Sequence, residues 1–400
     1  MSAIKNIASG SLKSKIVKLI KFKGPLTVSD YMKIVLTNPE SGFYMNNDVF
    51  GVKGHFTTNP EISQIFGEIL GIWILQEWRR FNCPKPLRLV EFGPGRGTLM
   101  SDMTRALRTF EQTRGNLQLR FVEISPRLKE IQKQSISHEP DLIENSEWHP
   151  TFESLDENRS GFTAFLAHEF LDALPIHKFV RDPTTHQWRE LLIDYSPEEE
   201  LRYCISRNPS LSTRLLIPQG FKGDHIEVCP QAALLLDNVA KSLNKTSKGC
   251  MLVCDYGFED EPKEIGVDST SQVTLKPMIA NRDTFRAFKD HESWPPLKEP
   301  GQADLTADVD FGYLKKQLNE RATLFGSVTQ RDFLVKCGLQ ARLNVLLENA
   351  SPTEKDELVS GANMMLDDMG QRYRFLALFP KESGHLFESD PPAGFDQNHV

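Results

Sequence analysis

The most regular hydrophobic pattern lies between residues 60 and 81, where apolar side chains recur three and four positions apart. The members of this stripe are Ile62, Ile65, Phe66, Ile69, Leu70, Trp73 and Ile74. Such spacing places them on one helical face and predicts a long amphipathic helix that begins at Pro60. Upstream, Thr27 or Ser29 can cap a shorter helix from Asp30 to Leu36.

From residue 87 onward, short apolar runs alternate with helical patterns. The predicted strands are Leu87–Phe92, Leu117–Val122, Phe162–Ala167, Cys250–Cys254 and a closing strand Arg372–Leu378. The predicted helices are Thr98–Arg108, Pro126–Ser137, Gln231–Leu243 and one that begins near Asp308. This alternation predicts an α/β fold with a parallel sheet covered by helices on both faces.

A different pattern interrupts this alternation between about residues 178 and 226. Strand-like pieces around Phe179, at Glu190–Ile193 and at Leu201–Ile205 are joined by polar turns, which predicts an antiparallel β insertion. The predicted organisation is therefore a basic segment (1–23), a helical module (24–84), an α/β domain with this insertion (85–380) and a polar, disordered tail (381–400).

Net charge, apolar runs and cysteine positions each disfavour a class of function or site. The 400 residues carry a net charge of −7, which disfavours sequence-independent binding to nucleic acid. No run of eighteen apolar residues predicts a transmembrane helix. Among the six cysteines only Cys250 and Cys254 are close, and they lie in a predicted strand, so neither a disulfide framework nor a metal site is expected.

The amino terminus is rich in lysine and lacks acids. Six lysines precede the first acid, Asp30: Lys5, Lys13, Lys15, Lys18, Lys21 and Lys23. The segment resembles a mitochondrial targeting sequence in lacking acids, although it has no arginine. The alternative is a basic helix, Leu12 to Lys23, that docks through Ile16, Leu19 and Ile20, and one segment could serve both purposes.

The sharpest chemical signal is a glycine-rich turn at a strand end. An acid, Glu91, ends the first strand and is followed by Gly93, Pro94, Gly95, Arg96, Gly97 and Thr98. Ligands bind at this place in open α/β sheets, and glycine lets the backbone approach them. The G-x-G-x-G spacing differs from the dinucleotide motif, and Glu91 favours a cationic group such as the ammonium or sulfonium of S-adenosylmethionine. A purely structural tight turn is the alternative.

Two further strand ends carry acids. Glu123 follows the second strand, where a carboxylate can accept both hydroxyls of an adenosine ribose; it could instead cap the next helix. Glu169 and Asp172 follow Phe162–Ala167 and are three residues apart, so a helical turn would point both carboxylates in one direction, as binding of a guanidinium requires. His168 could act as a base, but a packing or orienting role is favoured.

Together, five motifs resemble one family, the mitochondrial complex I assembly factor methyltransferases of the MidA type. They are Phe56–Phe66 (FTTNPEISQIF), Glu91–Thr98 (EFGPGRGT), Ala167–Pro175 (AHEFLDALP), Cys254–Gly257 (CDYG) and Gly301–Phe311 (GQADLTADVDF). The resemblance extends from about residue 24 to 380. It implies a class I, Rossmann-like methyltransferase fold and S-adenosyl-L-methionine as cofactor.

The resemblance also implies a substrate and a location. Family members are implicated in symmetric dimethylation of an arginine in a core subunit of respiratory complex I, which places the expected protein in mitochondria, in the matrix. The expected catalytic residues are Glu169, Asp172 and His168, while Pro60–Ile62 and Asp304–Asp310 would line or cover the cleft. A non-catalytic assembly chaperone and a nucleotide-dependent oxidoreductase are the alternatives, and the oligomeric state is left open.

Overall fold

The structure, a computed structural model, describes residues 11–46, 58–137, 139–155, 160–221, 223–259 and 283–396. The start of the first family motif, Phe56–Thr57, and most of the basic segment before Leu12 lie outside these ranges. The strands in chain order are β1 (Leu26–Thr27), β2 (Leu87–Phe92), β3 (Leu117–Val122), β4 (Ser146–His149), β5 (Phe162–His168), β6 (His177–Arg181), β7 (Trp188–Tyr195), β8 (Leu201–Ile205), β9 (His225–Val228), β10 (Gly249–Phe258), β11 (Arg286–Lys289), β12 (Glu292–Trp294), β13 (Asp304–Thr306), β14 (Val309–Asp310), β15 (Ala322–Thr329) and β16 (Tyr373–Pro380).

The helices surround these strands. They are α1 (Leu12–Lys23), α2 (Val28–Thr37), α3 (Phe43–Asn46), α4 (Asn59–Ile62), α5 (Gln64–Arg80), α6 (Thr98–Arg108), α7 (Pro126–Ser135), α8 (Pro140–Glu144), α9 (Leu211–Leu215), α10 (Pro230–Thr246), α11 (Phe311–Leu318), α12 (Gln330–Lys336), α13 (Leu339–Asn349), α14 (Pro352–Leu366) and α15 (Asp368–Arg372). Short 3₁₀ turns occupy Glu111–Thr113, Phe152–Ser154 and Lys381–Phe387.

Within the described ranges the central sheet has eight strands, in the order β15-β16-β10-β5-β2-β3-β4, with β14 paired to β10. Strands β4, β3, β2, β5 and β10 are parallel, and β16 is antiparallel to both of its neighbours. The chain moves from β2 outward to β4 and then returns to place β5 on the other side of β2. This reversal opens a crevice at the carboxyl ends of β2 and β5, where open α/β sheets bind ligands.

Helices cover both faces of this sheet, as the alternation predicts. One face packs against α5, α6 and α12 through residues such as Trp73, Met103 and Phe333. The other packs against α10 and α11 through residues that include Leu236 and Leu314. The α/β fold with two covered faces is therefore confirmed.

The antiparallel insertion is present and extends beyond its predicted end. Strands β6, β7, β8 and β9 pair antiparallel, and β1 from the amino-terminal region joins the same sheet through β7. A third core forms where α1 and α2 meet this sheet, with Ile16, Ile20 and Ile193 buried in it. The basic helix thus docks as expected, and its Lys21 forms an ion pair with Glu199.

Two expectations are wrong. The helix predicted from Pro60 is interrupted because Ser63 adopts an extended conformation (φ −158°, ψ 134°) and its hydroxyl accepts the Ile65 N–H as the cap of α5. The tail is not disordered as far as residue 396. Phe387 and Phe395 are buried against the sheet, and the Trp73 indole donates to the Ala393 carbonyl at 2.9 Å.

Candidate active site

The glycine-rich turn links β2 to α6 and brings backbone close to the crevice. Gly93, Gly95 and Gly97 all adopt positive φ angles, of 59°, 54° and 81°. A Cβ at Gly93 would lie 2.6 Å from the Phe170 ring, and one at Gly97 would lie 2.7 Å from the Ser135 hydroxyl. Glycine is therefore required here by backbone conformation and by packing within the protein.

A cavity lies beside this turn and gathers most of the residues that the sequence predicted. Its lining includes Glu91, Gly93, Pro94, Gly95, Arg96 and Thr98 from the predicted cofactor set, and His168 and Glu169 from the predicted catalytic set. The further lining residues are Thr58, Pro60, Glu61 and Leu99. Gly97, Glu123 and Asp172 lie outside this lining.

Glu91 is the acid that a cationic ligand would contact. Its side chain is 3% exposed, and its Oε2 atom has no hydrogen-bond partner among the described residues. Burial raises the pKa of Glu91 to about 8, because a charged carboxylate is poorly solvated there. A buried acceptor without a donor at the edge of a cavity fits the ammonium or sulfonium of S-adenosyl-L-methionine.

Glu61 joins α4 to the glycine-rich turn. The Thr98 hydroxyl, at the start of α6, donates to Glu61 Oε1 at 2.5 Å. Pro60 and Glu61 line the cavity, as the resemblance implies for this segment. The segment before the long helix is thereby fixed beside the glycine-rich turn.

Glu123 is tied to the same turn by Gln132. The Gln132 amide donates to Glu123 Oε2 at 3.1 Å and to the Gly95 carbonyl at 2.8 Å, while the Ser125 N–H donates to Glu123 Oε1 at 2.7 Å. Burial raises the pKa of Glu123, and these donors oppose that rise. A carboxylate offers about four acceptor positions; Ser125, Gln132 and the Ile124 N–H occupy part of this capacity, and the remainder is open to ribose hydroxyls.

Asp255, in the CDYG motif, shapes the turn that carries Glu169 and Asp172. Its Oδ2 atom accepts the backbone N–H groups of Phe170, Leu171 and Asp172, at 3.1, 2.8 and 3.3 Å. Glu169 itself has a positive φ of 47°. Such a conformation is uncommon for a residue with a side chain, and the ring of donors around Asp255 holds it in place.

The carboxylates of Glu169 and Asp172 have different surroundings. Glu169 Oε1 accepts the Tyr373 hydroxyl at 2.8 Å, and burial with the nearby Asp172 raises the pKa of Glu169 to about 8. Asp172 Oδ2 accepts the Thr306 hydroxyl at 2.7 Å, and burial raises the pKa of Asp172 although Arg286 opposes the rise. Among the described residues, neither lysine nor arginine forms an ion pair with Glu169.

Asp304 adds another acid to this region. It is 8% exposed, and the Tyr44 hydroxyl lies 2.8 Å from its Oδ1 and 2.9 Å from its Oδ2. Burial and the charge of Asp172 raise the pKa of Asp304 to about 8. Several acids thus lie close enough together to raise one another's pKa, with Arg286 as an opposing charge near Asp172, which favours binding of a further cation.

His168 ends β5 and lies at the edge of the cavity. Burial lowers the pKa of His168 to about 3, so its ring is neutral at physiological pH. Its Nε2 atom lies 3.3 Å from Asn59 Nδ2 and 3.5 Å from Glu169 Oε1. The sequence drew attention to His168 and placed Asn59 in the motif Phe56–Phe66 without assigning it a role. Gln330 and Tyr373 come from distant segments without a local signal for the site.

Comparison with known protein families places the chain. A family model described as "Putative S-adenosyl-L-methionine-dependent methyltransferase" matches residues 69–328. The chain belongs to this family. The cofactor is accordingly S-adenosyl-L-methionine, as predicted from Glu91 and the glycine-rich turn.

Curated relatives match nearly the whole chain. "Protein arginine methyltransferase NDUFAF7, mitochondrial" of Xenopus tropicalis is 37% identical and covers 98% of this chain and 90% of its own length. The protein of the same name from Homo sapiens is 36% identical, with 91% and 82% covered. These matches confirm the family resemblance seen in the five motifs.

A solved structure confirms the class I methyltransferase fold. A Burkholderia thailandensis protein bound to S-adenosyl-homocysteine superimposes with a TM-score of 0.74 at 21% sequence identity. The match covers 92% of this chain and 91% of that protein. Among the described residues, no helix is both long and apolar enough to span a membrane.

Proposed function

We propose that this chain is a protein arginine methyltransferase that symmetrically dimethylates an arginine in a core subunit of mitochondrial respiratory complex I. The names of the curated relatives support arginine as the acceptor and mitochondria as the location. The matrix is the compartment proposed for the reaction, and complex I assembly is the process that it would serve.

The observation that carries the proposal is the placement of Glu169. Its carboxylate lies at the cavity that the glycine-rich turn and Glu91 also line, and no cationic side chain of the described residues pairs with it. A guanidinium presents planar N–H donors that match carboxylate oxygens in pairs. An arginine that enters here would supply positive charge beside Glu169, whereas Asp172 already has the charge of Arg286 nearby.

Each group at the site then has a defined task. S-adenosyl-L-methionine supplies an electrophilic methyl group when it is bound. Glu91 and the turn from Gly93 to Thr98 would hold it, and Glu123 would accept its ribose hydroxyls. Because free arginine is protonated up to a pKa above about 12, Glu169 and Asp172 would accept guanidinium N–H groups and draw positive charge away from the attacking nitrogen. Fixing both partners in one cleft contributes about 7–11 kcal/mol.

Single-turnover transfer from labelled S-adenosyl-L-methionine to purified complex I core subunits tests the proposal. We expect Glu169→Gln to bind cofactor normally and to transfer methyl groups about 10²–10³-fold more slowly, as on loss of one preorganised electrostatic contact. Glu130→Gln, an exposed change on α7, is the matched control. Near-normal transfer by Glu169→Gln would remove this residue from the mechanism. Cofactor and client binding without any transfer by the wild type would favour the chaperone alternative.

A further inference from the structure

Asn59 lies completely buried at the start of α4, next to two residues of the proposed site. Its side-chain amide faces His168 on one side and the buried Gln330, from the start of α12, on the other. The two amides form a reciprocal pair, with Asn59 Nδ2 donating to Gln330 Oε1 at 3.0 Å and Gln330 Nε2 donating to Asn59 Oδ1 at 2.9 Å.

The orientation of this pair is set by a backbone carbonyl. Gln330 Nε2 also lies 2.9 Å from the carbonyl oxygen of Met365, which accepts hydrogen bonds and never donates them. The amide nitrogen of Gln330 must therefore face Met365, and its Oε1 must face Asn59. Asn59 in turn must present Nδ2 to Gln330, so the second Nδ2 hydrogen points toward His168.

The orientation of Asn59 determines the hydrogen-bonding role of the His168 imidazole ring. Asn59 Nδ2 donates only, so His168 Nε2 must act as the acceptor across the 3.3 Å that separates them. In a neutral imidazole the other nitrogen, Nδ1, then carries the proton. The low pKa of the buried ring agrees with a neutral His168.

Asn59 also contacts Glu169 through its backbone. The Asn59 N–H hydrogen-bonds the Glu169 carboxylate and lowers its pKa, against the larger effect of burial. The Tyr373 hydroxyl donates to Glu169 Oε1 at 2.8 Å. When Glu169 is ionised, His168 Nε2, as an acceptor, contributes no hydrogen bond to the carboxylate oxygen 3.5 Å away. In its ionised form Glu169 is thus oriented by Asn59 and Tyr373 and not by the neighbouring histidine.

We propose that Asn59 is a positioning residue that fixes His168 as the neutral Nδ1–H tautomer through its side chain and orients the Glu169 carboxylate through its backbone. The role in turnover rests on the proposed function, whereas the tautomer does not. His168 Nε2 is saturated by Asn59 and is not available as a general base. The catalytic role expected for His168 becomes an orienting one, and α12 is connected to the site through Gln330.

The tautomer can be measured without turnover. Two-bond ¹H–¹⁵N correlation spectra of ¹⁵N-histidine-labelled wild-type protein, with His168 assigned by its loss in His168→Asn, report which ring nitrogen is protonated. We expect Nδ1 protonated and Nε2 unprotonated from pH 5 to 8. A protonated Nε2, or titration of His168 within this range, would overturn the proposal whether or not arginine is the substrate.

A variant then tests the link to Glu169. Asn59→Asp has the same shape but presents acceptors to His168 and repels Gln330 Oε1. We expect the Nε2–H form of His168 to appear and single-turnover transfer to slow by at least about tenfold, with cofactor affinity unchanged. Asn244→Asp, near the carboxyl end of α10, is the control for an amide-to-acid change and should alter neither readout. A wild-type tautomer together with a wild-type rate in Asn59→Asp would overturn the positioning role.

Discussion

Gly93 shows at the scale of a residue why the glycine-rich turn needs glycine. Its φ of 59° disfavours any side chain, and a Cβ would lie 2.6 Å from the Phe170 ring. Gly115 has a similar φ of 69°, but a Cβ there would meet none of the described residues within 4 Å, so Gly115→Ala reports backbone strain without a collision. The sequence predicted that glycine lets the backbone approach a ligand, and the structure adds that a Cβ at Gly93 would collide with Phe170.

We expect Gly93→Ala to lower the free energy of unfolding by more than Gly115→Ala, by about 1–3 kcal/mol beyond the shared backbone strain. The same change should weaken cofactor binding because the turn must move away from Phe170. Denaturant unfolding and calorimetric titration with S-adenosyl-L-methionine measure the two effects. Equal destabilisation of both variants with unchanged cofactor affinity would show that the Phe170 contact is irrelevant.

Glu91 makes the stability of the cofactor-free protein depend on pH. Burial raises its pKa in the folded state to about 8, so between its ordinary pKa and 8 the folded protein holds a proton that the unfolded chain has released. The stabilising contribution is complete below the unfolded pKa and is lost as pH rises. We expect part of the fall in unfolding free energy between pH 5 and 8 to disappear in Glu91→Gln but not in the exposed control Glu130→Gln. Identical pH slopes for wild type and Glu91→Gln would contradict this assignment.

At the scale of the elements, the sequence predicts those boundaries that apolar runs and helix caps determine. Strands β2 and β3 and helices α1 and α6 have the boundaries that the apolar runs and caps predict. The acids at the ends of β2, β3 and β5 were visible because each follows a buried apolar run. The break at Ser63 was missed because the apolar stripe continues through it and only the local cap decides the conformation.

Contacts between distant elements could not be predicted in this way. Tyr373 reaches Glu169 across 204 positions and Gln330 reaches Asn59 across 271, and neither residue stands out in its own segment. Only the order of strands in the sheet brings them together. The predicted domain boundaries are also decided by long-range packing and remain predictions.

A substitution of Asp255 tests whether this residue of β10 holds the turn that follows β5. Its Oδ2 atom accepts three N–H groups from the turn after β5. In Asp255→Asn the side chain must either face these donors with an uncharged oxygen or turn its own N–H groups toward them. We expect a loss of about 1–3 kcal/mol in unfolding free energy and slower methyl transfer, because Glu169 loses its fixed position. Asp368→Asn, an exposed change on α15, is the control. Unaltered transfer by a folded Asp255→Asn protein would show that this turn is held by other contacts.

At the scale of the whole molecule, the carboxyl-terminal segment completes the main core. Phe387 and Phe395 are 4% and 5% exposed and pack around Phe379 and Trp73. Burial of each ring is worth about 1.5–3 kcal/mol. Truncation after Pro380 should therefore lower the unfolding free energy by several kcal/mol relative to the full chain. Equal stability of the truncated and full-length proteins, measured by denaturant unfolding, would contradict this role.

The function proposed for the whole molecule is transfer of a methyl group to an arginine. Quantitative mass spectrometry of complex I subunits, from mitochondria that contain the wild-type protein, Glu169→Gln or neither, tests this most directly. The account predicts symmetric dimethylarginine at one position of a core subunit with the wild-type protein alone. Equal arginine methylation in all three samples, or the mark restored in full by Glu169→Gln, would contradict it.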